Sequence, residues 1–99
     1  MKHFTVVVTP RAIKEMQKTM EYYNGLQTGL GRRFHQDYKT QITSLKHNPF
    51  ARAIRYADIR FAVFDNFPYA IHYNIEDNQV IILAVLSMFQ NPETFWIEA

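Results

Sequence analysis

Over residues 3–9, Phe4, Val6 and Val8 fall on one side of an extended chain and His3, Thr5 and Thr9 on the other, with Val7 breaking the alternation. This two-residue period is that of a strand. Thr9 then offers an oxygen to cap a helix, and Pro10 suits a first helical position because its absent N–H would have had no partner there. The period changes accordingly: Ile13, Met16, Met20 and Tyr23 recur every three or four residues, predicting a helix over 10–24 with one stripe facing a core. Gly25, Gly29 and Gly31 are all the glycine in the chain, so backbone freedom is concentrated at one turn. Phe34, Tyr38, Ile42 and Leu45 form a second stripe, predicting a helix over 29–47. It stops before Pro49, because the residue preceding proline avoids helical angles. Together the two helices read as an αα-hairpin.

From Ile54 onward the period is two again. Ile59, Phe61 and Val63 alternate with Arg60, Ala62 and Phe64 until Asp65 and Asn66 break the pattern. Tyr69, Ile71, Tyr73 and Ile75 alternate with Ala70, His72 and Asn74, and Glu76-Asp77-Asn78 supplies turn chemistry. Residues 80–86 are apolar at every position, as in a strand covered on both faces, which places this strand inside the sheet. The order β-α-α-β-β-β predicts an α+β fold, with the helical hairpin packed on a mainly antiparallel sheet. Phe95 and Trp96 are expected to pin the tail to the body.

A chain of 99 residues, 47% hydrophobic, has material for one core, so residues 1–99 read as a single domain. Without cysteine it is neither a disulfide-stapled secreted module nor a Cys-type zinc fold. No apolar signal core opens the chain, and the longest apolar run is far short of the roughly 20 residues of a membrane helix, so a cytoplasmic protein is expected. A net charge of +2 does not argue for nucleic acid. The distribution says more: Arg32, Arg33, Lys39, Lys46, Arg52, Arg55 and Arg60 face only Asp37 and Asp58 within that stretch, while residues 65–99 hold no Lys or Arg. His3, His35, His47 and His72 are scattered, with no pair at metal-ligand spacing, and no cofactor motif stands out. His72, opposite Tyr69 and Tyr73 on its strand, reads as a surface or partner contact.

The order of elements is joined by Tyr22-Tyr23 closing the first helix, Gly29-Leu30-Gly31 with Arg33-Phe34 opening the second, and Leu45 with Pro49 ending it. Ile59-Arg60, Phe67-Pro68-Tyr69, Ile71, Tyr73, Ala84-Val85 and Asn91-Pro92 followed by Trp96 continue the pattern. In order and spacing these residues resemble the RelE/ParE toxin superfamily, in the group often called plasmid stabilisation proteins. The resemblance implies the toxin of a type II toxin–antitoxin module, wrapped and blocked by a small antitoxin. It also implies a target that differs by branch: messenger RNA in the ribosome for RelE-like members, DNA gyrase for ParE-like ones. Fold alone cannot choose between them.

Cutting RNA through its own 2′-hydroxyl needs a base, an acid, and cations to hold the charge developing on the phosphate. Ribonuclease relatives tend to place Arg after the aromatic of the third strand, and His and Arg past the last strand. The corresponding positions here are Ala70, Ser87 and Gln90, and the tail offers Phe95 and Trp96, neither able to exchange a proton at neutral pH. The missing charges argue against an enzyme and for a ParE-like toxin that acts by binding. The alternatives are an mRNA interferase with substituted catalytic residues and a non-toxic binding module that kept the fold. Arg55, Arg60, Ser87, Gln90 and Asn91 are the candidate contacts to a target or nucleic acid, and Lys46 with His47 could join Arg55 and Arg60 at a phosphate.

Overall fold

A computed structural model describes residues 3–89 of the chain. In order, the elements are β1 (Thr5–Val8), α1 (Pro10–Leu26), α2 (Leu30–His47), a 3₁₀ turn (Pro49–Ala51), β2 (Ile54–Tyr56), β3 (Ile59–Val63), β4 (Tyr69–Glu76) and β5 (Gln79–Ser87). The capping reading holds: Thr9 Oγ1 accepts the Ala12 N–H at 3.3 Å, with Pro10 in the first turn. α1 runs past residue 24 to Leu26, so Gly25 stays helical and the turn is made elsewhere. Gly29 takes it, at φ 89°, in the left-handed region that costs glycine nothing. Gly31 serves closeness instead. A Cβ there would lie 2.5 Å from the Met20 carbonyl oxygen, and its N–H donates to Asn24 Oδ1 at 2.8 Å, locking the two helices at their junction.

The sheet has five strands in the order β1-β5-β4-β3-β2, all antiparallel except the β1–β5 pair. The additional strand is β2. It is three residues long and its pairing with β3 is irregular between Ile54 and Tyr56, too short to leave a period in the sequence. The interior place expected of residues 80–86 is found, because β5 lies between β1 and β4.

A register shift sets the faces of β5: Tyr73 pairs with Ile82 but His72 with Ala84, so Leu83 is an extra residue. Val80, Ile82 and Val85 therefore all join the core under the helices, with Ile71 and Tyr73 of β4. Ala84 and Leu86 share the opposite face with Ala70 and His72. An uninterrupted apolar run accommodates this change of phase, because either side of the strand can be buried.

Phe34 is the centre of the core. It is fully buried, with ring centroids of Phe64 at 4.8 Å, Phe67 and Tyr69 at 5.1 Å, and Tyr23 at 5.5 Å. Burying such a side chain contributes about 2–3 kcal/mol. Two buried polar residues of α2, missed by a search for apolar stripes, tie loops to the helix. The Asp37 carboxylate accepts the N–H groups of Asp65 and Asn66 at 3.0 and 2.7 Å, and Gln41 Oε1 accepts from Arg52 at 2.9 Å.

Candidate functional site

The helices cover one face of the sheet, and the residues that chemistry would need are divided between the two faces. On the side of β3 and β4 turned away from the helices, Phe61 pairs with His72 and Val63 with Ala70. The Phe61 and His72 rings lie 3.9 Å apart between centroids, and the Tyr56 hydroxyl shares a 3.1 Å hydrogen bond with His72 Nδ1. The Arg55 guanidinium lies over Phe61, 5.1 Å from the ring centroid, which is cation–π geometry. The result is an aromatic platform with one exposed cation, Arg55, and one buried imidazole.

His72 is 3% exposed, which corrects the expectation of a surface or partner contact. Alternation placed it on the right face, but that face is itself covered: Ala70, Ala84 and Leu86 on it are buried too. Desolvation, and then the positive charge of Arg11, push its pKa down to about 4. A neutral imidazole can accept the Tyr56 proton at Nδ1, and one so weakly basic and so covered is a poor general base near neutral pH.

Arg60 is on the other face. It pairs with Tyr73, its guanidinium donates to the Arg52 carbonyl oxygen, and it lies 5.4 Å from the Phe50 ring centroid. The fold thus separates Arg55 and Arg60 instead of bringing them to one phosphate. Lys46 and His47 end α2, where the Lys46 carbonyl accepts the Phe4 N–H at 3.1 Å and the His47 ring meets that of His3 at 5.0 Å. Ser87 pairs with Tyr69 at the end of β5, and its Oγ accepts the Phe89 N–H at 3.1 Å. Ala70 is fully buried between Val63 and Leu86. Gln90, Asn91, Phe95 and Trp96 lie outside the described residues.

Tyr56, Arg11 and Glu15 belong to this region and were not singled out from sequence. β1 ends where Val8 pairs with Ile82, so the edge of β5 is open beyond that point, and α1 crosses it. Thr9 Oγ1 donates to the Ile82 carbonyl at 2.8 Å, and Glu15 accepts the Val85 N–H at 2.9 Å while held by Arg11 at 3.5 Å. A carboxylate here stands in for a missing strand. Burial raises the Glu15 pKa, opposed by the Val85 hydrogen bond and by Arg11. In the sequence Arg11 and Glu15 are an ordinary i, i+4 helix pair, with no sign of a strand edge 70 residues away.

Among the described residues no three His, Asp or Glu side chains gather as metal ligands, and no helix is long and apolar enough to cross a membrane. The described residues thus form a helical hairpin on a five-stranded mixed sheet. A solved chain of the chromosomal ParDE toxin–antitoxin system from P. aeruginosa is similar, with a TM-score of 0.76 over 86% of this chain and 96% of that one, at 16% identity. That likeness is one of fold. No curated protein sequence matches the chain. The family model of the ParE toxin of the type II toxin–antitoxin system parDE matches residues 6–92, and the chain belongs to this family.

Proposed function

We propose that this toxin acts by binding its target, ParE-like, without cutting RNA, and that a ParD-type antitoxin neutralises it. The observation that carries this reading is the face of the sheet turned away from the helices. Where ribonuclease relatives place a cation there is Ala70, fully buried among Val63 and Leu86, and the imidazole of that face is held neutral and covered. Among the described residues that face lacks the groups a ribonuclease uses, and a toxin that acts by binding does not need them. DNA gyrase is the target implied by the ParE branch, and the antitoxin by the parDE family and by the ParDE system of the similar structure. The protein acts in the cytoplasm, where both would be met.

The test is inducible expression with and without the adjacent small reading frame, followed by assay of gyrase supercoiling in lysates. Growth arrest that the neighbouring gene relieves, together with inhibited supercoiling, is the expected result. Arrest with normal supercoiling excludes gyrase, and harmless expression of the lone chain excludes a toxin acting by binding.

A further inference from the structure

The β4–β5 hairpin outruns its neighbour. β4 stays paired with β5 as far as Glu76 and Gln79, whereas its pairing with β3 reaches only Tyr73 opposite Arg60. The step at this end of the sheet is a groove of about 350 Å³ between the hairpin tip and the segment carrying Phe50 and Ile54. Two features describe what would fit it. Its apolar wall is uncovered, with Phe50 56% and Ile54 51% exposed. Its polar rim is acidic, with Asp58, Glu76 and Asp77 against the single cation Arg60, whose guanidinium is already engaged by the Arg52 carbonyl and lies over the Phe50 ring.

Apolar wall and carboxylate rim ask for the same chemistry: an aliphatic side chain next to a Lys or Arg. We propose that the groove seats a segment of the antitoxin that presents such a pair, its aliphatic group on Phe50 and Ile54 and its cation among Asp58, Glu76 and Asp77. The proposal rests on the reading of this chain as an antitoxin-bound toxin. Charge favours the antitoxin over a nucleic-acid-laden target, because phosphates are repelled by a carboxylate rim. It also separates this surface from the sheet face turned away from the helices, which Arg55 edges.

The experiment measures the affinity of the purified toxin for the product of the adjacent small reading frame by calorimetry at two salt concentrations. The Glu76→Gln/Asp77→Asn double variant is compared with the wild type. Asn tolerates the positive φ of 55° at position 77, and both side chains are exposed, so the variant keeps its fold, as its thermal melt would verify. Binding at least tenfold weaker, with a shallower salt dependence, is the expected result; Ile54→Ser, without any charge change, should weaken binding in the same direction. A smaller loss in the double variant overturns the proposal while leaving the antitoxin reading standing. A wild type that binds no such product overturns both.

Discussion

His72 shows how a single residue takes its chemistry from its surroundings. In an unfolded chain its imidazole titrates near 6.5, and in the fold burial and Arg11 lower this to about 4. Between those values the unfolded state binds the extra proton, so stability is full above about 6.5 and falls as the pH drops toward 4. The expected loss from pH 7 to pH 5 is about 2 kcal/mol from this group, read as a lower urea midpoint. Glu15, with its pKa raised, works in the opposite sense in acid, so the comparison that isolates His72 is with His72→Gln, which should flatten the decline. Glu15→Ala should itself cost about 1–3 kcal/mol at pH 7, because it leaves the Val85 N–H at an open strand edge without its acceptor. An unchanged melting temperature would mean that another acceptor, such as water, satisfies that N–H.

At the scale of elements, the helix hairpin is held by its closest approach. Gly31→Ala drives a methyl group into the Met20 carbonyl and the Asn24 side chain, and should destabilise by about 1–3 kcal/mol in chemical denaturation, as overpacking does. Gly25→Ala, where a Cβ meets nothing, should instead be neutral or stabilising, as alanine is inside a helix. These two glycines are indistinguishable in the sequence, where both mark a turn. Both helices and four of the five strands were legible, because the helices, β1, β3 and β4 repeat their apolar residues at their own period and β5 is an uninterrupted apolar run. β2 was not: its three residues are placed by pairing with β3 across the Ala57-Asp58 turn, and a strand that short has no period to read.

For the whole molecule, the distribution of cations decides what it can do. With Arg55 and Arg60 on opposite faces and Ala70 in the place of a cation, no cluster of charges awaits a phosphate among the described residues of the face away from the helices. Losing one preorganised electrostatic contact in an active site commonly costs on the order of a hundredfold or more in rate, so several missing together should leave little. Purified protein added to translating ribosomes should therefore leave transcript ends unchanged; mapped cleavage at the rate of active relatives would show that Arg55 or another group had replaced the missing set.

The candidate site was legible only in part. Which side chains are absent is a property of the sequence, and so was the resemblance that gave their absence meaning. The sequence also determined both helices, four of the five strands, their order and the interior place of β5, since periodicity and apolar runs are local records of which faces are buried. The tertiary structure decided the rest. It put Arg55 and Arg60 on opposite faces, buried His72, sent Glu15 to a strand edge and opened the groove beside Asn74. Each of these depends on strand register and on helix packing between residues far apart in the chain, and a local pattern of apolar and polar positions carries no record of such distances.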